Sequence, residues 1–309
     1  MMKVQKLNYA LPDAEVDAWK GKAIDDTYYD PDLLITSDRI VMKPDGSGPL
    51  LILKTNCLPL NYCGTAFPLL YEMASDEVAD GNRGTAAGVK MKLETLADGT
   101  TGKRNQVPKF RELSPEDKQR LRGAYNGVAG SLDRSSEFPY CRETEYGPSH
   151  PNIRPCLPFF QEIDRVFRTY APERWAAQME RVKITPSTYL FKDTSFTTLT
   201  INRNFQTAVH KDGGDLQAGF GVITCLMAGR FTGGLLVFPK YRVAVCFGTQ
   251  DVLLCDVHEW HANTPIVGIT GEYERLSCVL YFRENMAKCL EPAEELDQAK
   301  RRQTGDLLY

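Results

Sequence analysis

The chain has 309 residues, 42% hydrophobic and 25% charged, with a net charge of −3, the make-up of a soluble globular protein of one large domain or two modest ones. No apolar run reaches bilayer-spanning length, the N-terminus lacks the apolar stretch and cleavage site of a secretory signal, and so neither a membrane partner nor export is expected. The nine cysteines are odd in number, lack a C-x-x-C pair and suggest neither a zinc site nor a disulfide framework, so the expected setting is intracellular, cytoplasmic or nuclear, and reduced.

In chain order, "DRIVMKPDGSGPLLILKT" (38–55) reads as strand, Pro-Asp-Gly turn, strand. Residues 81 to about 105 are rich in Gly, Thr, Lys and Asp, as in a long exposed loop. Between Gly81 and Arg122 stand ten basic residues against five acidic ones, either a solvated face or one that tracks phosphates. We therefore treat 1–113 as an N-terminal region, hairpin and basic loop, packed on the core. Residues 114–183 read as helical support. Ser114 is the N-cap, Pro115 the first helical residue, and two acids follow in the first turn. Phe160, Ile163 and Phe167, then Trp175, Met179 and Val182 beyond Pro172, repeat at helical spacing and belong to the core. After Lys183 come short β-branched or aromatic runs divided by turn residues ("FGVITCLM", "GGLLVFP", "RVAVCF", "DVLLCDVHEW", "RLSCVLYF"), the pattern of a β-sandwich or barrel. With no flexible linker between the halves, one compact α+β unit is expected, its helices buttressing the β core.

Three of the four histidines lie in this β half. If "TAVHKD" ends a strand, His210 and Asp212 point to one side and Lys211 to the other. One imidazole and one carboxylate are two-thirds of a facial triad for iron(II), and "DVHEWHANTP" offers the third ligand as His258 or His261. An H-x-D triplet is also common in plain turns, with Asp212 as an Asx-turn acceptor. "HEWH" is not the H-E-x-x-H of a zinc protease, since the second His comes one residue early. Arg275, at the start of "RLSCVLYF", can hold a carboxylate in a bidentate pair; otherwise it is a strand-end surface charge. The ordered set His, Asp, His, Arg is more specific than any member.

The segment Thr197–Met286, with "FTTLTINRNFQTAVHKDGGD", "FTGGLLVFPKYRVAV", "QDVLLCDVHEWHANTPI" and "ERLSCVLYFRENM", resembles the oxygenase domain of the TET/JBP family of iron(II)- and 2-oxoglutarate-dependent enzymes acting on 5-methylpyrimidines in nucleic acid. It looks especially like the JBP branch and related bacteriophage enzymes. "GVAGSLDRSSEFPYCRETEY" resembles the segment upstream, and the resemblance does not extend to the first hundred residues. The resemblance implies a double-stranded β-helix (jelly-roll) over 184–286 within a dioxygenase domain at 114–309, and Fe(II), 2-oxoglutarate and O2 as cofactors. It puts the iron ligands at His210, Asp212 and His261, with His261 preferred because the family word is H-A-x-T-P and His258 placed at the mouth, and 2-oxoglutarate at Arg275. Base contacts fall at Asp215, Tyr281 and Arg283, where this chain departs from the TET branch at the first and last positions. Asn202 and Arg203 could line the pocket or be structural. Lys103, Arg104, Lys109 and Arg111, with Arg134 and Arg142, are the expected contacts to the DNA backbone. The implied activity is hydroxylation of 5-methylcytosine to 5-hydroxymethylcytosine in a flipped-out nucleotide by a monomer, with a phage-encoded enzyme acting in the bacterial cytoplasm as one expected setting. It is ranked above thymine because Asp215 can accept from the cytosine amino group. The alternatives are a JBP-like thymine hydroxylase making 5-hydroxymethyluracil, a hydroxylase of a protein or small molecule, and a reader without activity.

Overall fold

The computed structural model describes residues 2–78, 84–88, 92–95, 101–106, 113–135 and 138–304. The strands are β1 (Lys3–Lys6), β2 (Leu34–Ile35), β3 (Arg39–Met42), β4 (Pro49–Lys54), β5 (Asp76–Glu77), β6 (Lys92–Thr95), β7 (Thr101–Gln106), β8 (Tyr125–Leu132), β9 (Arg142–Glu143), β10 (Thr198–Arg203), β11 (Gly221–Gly233), β12 (Leu236–Phe238), β13 (Val243–Val245), β14 (Val252–Cys255), β15 (Ala262–Asn263) and β16 (Ile266–Tyr281). The helices are α1 (Asp13–Asp17), α2 (Leu60–Met73), α3 (Gly84–Ala87), α4 (Pro115–Leu121), α5 (Leu157–Tyr170), α6 (Pro172–Val182) and α7 (Pro292–Thr304).

A large sheet runs β1-β3-β4-β14-β11-β16-β10-β8-β5, and a smaller one runs β15-β12-β13-β2. Strand alternation assigns each residue to a face. Leu199, Ile201, Val222, Leu254, Leu276, Cys278 and Leu280 pack against Leu70 of α2 and Phe160, Ile163 and Phe167 of α5. Their neighbours Ile223, Cys225, Leu253 and Cys255 face Leu236, Phe238, Val243 and Val245 of the small sheet. The outcome is a two-sheet sandwich backed by helices, an α+β double-stranded β-helix.

Local signals act as expected at several elements. Ser114 caps α4, its side chain accepting from the Asp117 N–H at 3.1 Å. Pro172 divides α5 from α6, and β3 pairs antiparallel with β4 across the Pro44-Asp45-Gly46 turn. No helix among the described residues is long and apolar enough to cross a membrane.

Other expectations are corrected. Residues 114–183 are not helical throughout, because Tyr125–Leu132 forms β8, paired along its length with β10. Its two interior glycines, which look like loop punctuation, are sites of close approach. A Cβ on Gly127 would lie 2.0 Å from the Met73 carbonyl oxygen, and one on Gly130 would lie 2.3 Å from that of Thr197. In α6 the buried residue is Gln178, bonded to the Ser195 carbonyl at 2.7 Å, while Trp175, Met179 and Val182 are half-buried. Arg275 does not begin the last strand: β16 starts at Ile266, and its first half pairs with the outer part of β11 as an exposed ribbon. The loop expected over 81–105 contains α3 and the paired β6 and β7. Cys246, in the strand-like run "RVAVCF" where a thiol is expected to act as a small buried hydrophobe, is exposed. Cys141 and Cys289, 148 residues apart, form a disulfide. Such a pairing is set by tertiary contact alone, which no sequence spacing reveals.

Candidate metal centre and pocket

His210 does not end a strand. It follows a loop after β10 and pairs with His261 in an isolated antiparallel bridge, each donating its backbone N–H to the other's carbonyl at 3.0 Å. Residues so paired project their side chains to the same side, and the two imidazole centroids lie 4.3 Å apart. His210 Nδ1 is 2.8 Å from the Ala208 carbonyl and His261 Nδ1 is 2.9 Å from that of Glu259. A carbonyl only accepts, so each Nδ1 carries the proton and each Nε2 keeps its electron pair. Both Nε2 atoms face Asp212, at 3.6 Å from Oδ1 and from Oδ2 respectively. The ligand atoms of His210, Asp212 and His261 all lie within 4.8 Å of one another. Two aimed imidazoles and one carboxylate, both histidines buried, form a donor set that fits iron(II) with positions left for cosubstrate and oxygen.

The three residues open into a cavity of about 330 Å³ lined from both sheets. Arg275 shares its strand face with the cavity-lining Ser277, Val279 and Tyr281. It is 2% exposed, and its Nη2 donates to the Gly234 carbonyl at 3.0 Å. Among the described residues no carboxylate forms an ion pair with it. A buried guanidinium so placed is costly unless an anion joins it, and this fits the distal carboxylate of 2-oxoglutarate. Asn202 also lines the cavity, and among the described residues its buried Oδ1 has no hydrogen-bond partner. Arg203 instead points away, pairing with Glu274 at 2.9 Å and lying over the Tyr71 ring, so its role is structural.

Asp215, Tyr281 and Arg283 meet at one end of the cavity. Asp215 and Arg283 are bridge partners, and the Tyr281 hydroxyl is 3.2 Å from Thr200 Oγ1. Arg283 is held by Asp133, which accepts from Nε and from Nη2 at 2.6 Å each. Desolvation opposes the Arg283 charge, but Tyr281 and Asp133 outweigh it and raise its pKa. His258 does not line the cavity. Its Nδ1 is 3.3 Å from Asp256 and its Nε2 is 3.3 Å from the Asp215 carbonyl, so it braces the turn that carries Asp215. The hydrogen bond that His258 donates to Asp256 raises its pKa, against desolvation.

The expected backbone contacts fare differently. Lys109 and Arg111, and the side chains of Lys103 and Arg104, lie outside the described residues. Arg134 is not offered to a phosphate: it donates from Nε at 3.0 Å to Glu295, itself 1% exposed. Arg142 packs over the Phe138 ring at 3.8 Å. Sequence reasoning missed Asp133, for which no local signal exists. It also missed Ser277 and Asn263, which strand alternation from Arg275 and His261 marks as facing the cavity.

Comparison with known proteins agrees with this geometry. Residues 134–284 match the Tet_JBP family, described as the oxygenase domain of the 2OGFeDO superfamily. The chain is 35% identical over 181 residues to thymine dioxygenase JBP1 of Leishmania tarentolae, covering 57% of this chain and 21% of that protein. It is 33% identical over 167 residues to the bifunctional helicase and thymine dioxygenase JBP2 of Trypanosoma brucei brucei, covering 53% and 15%. The chain thus spans about a fifth or less of the length of these relatives. The solved structure of NgTET1 in complex with 5mC DNA superposes with a TM-score of 0.52 at 13% identity, covering 86% of this chain and 90% of that one, and supports the fold. Residues 134–284, just under half of the chain, are thus similar to the oxygenase domain of the TET/JBP family within the 2OGFeDO superfamily.

Proposed function

We propose that the protein is a 2-oxoglutarate- and iron(II)-dependent DNA dioxygenase that hydroxylates the methyl group of a 5-methylpyrimidine. The observation that carries this reading is the orientation of both histidine Nε2 atoms toward Asp212 in a cavity also lined by Asp215, Tyr281 and Arg283, with the buried Arg275 on the same strand face as the lining Ser277 and Val279. When bound, iron(II) with O2 and 2-oxoglutarate supplies the oxidant that turns a methyl into a hydroxymethyl group, with succinate and carbon dioxide as by-products.

The residues of the chain have separable tasks. Ala208 and Glu259 fix the protons of His210 and His261 on Nδ1, keeping Nε2 available for a metal. Arg275 holds the far carboxylate of 2-oxoglutarate in a charge-assisted pair, which orients the reacting end. A base in duplex DNA must leave the stack to enter so enclosed a cavity, at a cost of a few kcal/mol. Tyr281, Asp215 and Arg283 offset that cost by packing against the ring and bonding its edge.

The juxtaposed acceptor, Asp215, and donor, Arg283, complement the N3–H and O4 of thymine. They also complement the N4 amino group and N3 of 5-methylcytosine. The thymine dioxygenase relatives favour thymine as the first base to test, with 5-methylcytosine, which the same two groups also fit, as the second reading. Incubation of the purified chain with iron(II), 2-oxoglutarate and DNA containing both bases, followed by nucleoside mass spectrometry, tests it. Release of 5-hydroxymethyluracil supports the first reading and 5-hydroxymethylcytosine the second. Succinate formation that DNA does not stimulate, with neither product, overturns both.

A further inference from the structure

Both residues whose carbonyls set the histidine tautomers are themselves held from outside the segment that matches the family. Ala208, whose carbonyl receives the His210 proton, donates its N–H to the carbonyl of Ala86 at 2.7 Å. Beside it, Val209 exchanges both backbone bonds with residues 21 and 22: its N–H goes to the Lys22 carbonyl at 2.9 Å, and Gly21 N–H donates to the Val209 carbonyl at 2.8 Å. On the other side, the Glu259 carbonyl receives the His261 proton. The Glu259 carboxylate accepts from Lys43 Nζ at 2.8 Å and from the Tyr241 hydroxyl at 2.8 Å. The same ammonium donates to Asp256 Oδ2 at 2.8 Å. Asp256 Oδ1 in turn accepts from the His258 N–H at 3.1 Å, closing the turn that leads to His261. Lys43 stands at the end of β3, in the hairpin turn before β4. Its side chain and those of Asp256 and Glu259 are only 11%, 12% and 14% exposed.

We propose that Lys43 is a positioning residue of the metal centre. By pinning Asp256 and Glu259 it fixes the 256–261 turn, and with it the Glu259 carbonyl that aims the His261 imidazole. Ala86 and the 21–22 segment do the same for His210, so the N-terminal region completes the site rather than merely covering it. The three charges are buried together, so removing the ammonium leaves two neighbouring carboxylates without their shared counter-ion. The turn relaxes, and His261 loses its fixed proton. Partners that orient a ligating histidine typically contribute ten- to a hundredfold to metal affinity.

This inference rests on the metal-centre reading, and the test separates the two. The full-length metal-free chain is titrated with cobalt(II), followed by its visible absorbance. In parallel, 15N-histidine NMR of the metal-free chain reads the tautomer of each of the four histidines. Lys43→Met is expected to weaken cobalt(II) binding about tenfold and to mix the tautomers of His261 while leaving His210 on Nδ1, with Lys43→Arg restoring much of both. If Lys43→Met does not fold, Lys43→Gln, which keeps a neutral donor, is read in the same way. A wild-type chain that binds no cobalt(II) refutes the metal centre itself. A wild type that binds, beside a folded Lys43 variant with equal affinity and an unchanged His261 tautomer, overturns the positioning role.

Discussion

At the scale of single residues, the proposed chemistry is concentrated in four side chains that can be read from the sequence: His210, Asp212, His261 and Arg275. Their types and order suffice because a facial triad and a carboxylate clamp need those donors and tolerate few others. The contacts that hold the surrounding residues were not legible, since Asp133 reaches Arg283 across 150 positions and Lys43 reaches Asp256 across 213. Arg275→Lys should raise the KM for 2-oxoglutarate about ten- to a hundredfold, the worth of one charged hydrogen bond. That is measured as succinate release against cosubstrate concentration, and an unchanged KM would remove Arg275 from the clamp. Asp133→Asn should loosen the Arg283 guanidinium and alter the ratio of thymine to 5-methylcytosine turnover, scored on mixed DNA. A uniform loss on both bases would argue for a purely structural bond. The raised pKa of His258, set first by its bond with Asp256 and opposed by burial, makes stability depend on pH. A histidine whose folded pKa exceeds its unfolded value stabilises fully below the unfolded value, near 6.5, and loses that increment as pH rises through the folded one. Denaturant melts from about pH 6 to 8 should show this decline in the wild type and a flatter profile in His258→Gln.

Among the elements, the amphipathic helices α5 and α6 and the short inner strands were visible because their apolar spacing follows one period each. Two stretches differ from their sequence reading, β8 within the expected helical support and the outer half of β16 ahead of Arg275, and both contain glycines. In β8, Gly127 and Gly130 admit the Met73 and Thr197 carbonyls. In the outer half of β16, Gly268 and Gly271 lie in a ribbon that pairs with β11. Gly127→Ala would drive a methyl into the Met73 carbonyl, and overpacking of this kind costs about 1–3 kcal/mol. A urea titration of the variant measures it, and an unaltered midpoint would mean that α2 and β8 can part at no cost.

Across the whole molecule, the N-terminal region and the matched domain share one sheet. β4 pairs with β14 on one side and β8 with β10 on the other, so removal of residues 1–133 would bare two hydrophobic strand edges. Such edges recruit other chains. A fragment beginning at residue 134 should therefore aggregate when expressed, as judged by size-exclusion chromatography, and a soluble, metal-binding fragment would show that the N-terminal strands are dispensable. The sequence hinted at this continuity only by lacking a linker, because strand partners distant along the chain leave no periodic trace. The covalent link between Cys141 and Cys289 has a further consequence. It closes the chain into a ring that contains all three candidate metal ligands and Arg275. A protease that nicks the exposed β11–β16 ribbon would therefore leave both fragments tethered, running as one species on a gel without reductant and as two once the bond is reduced.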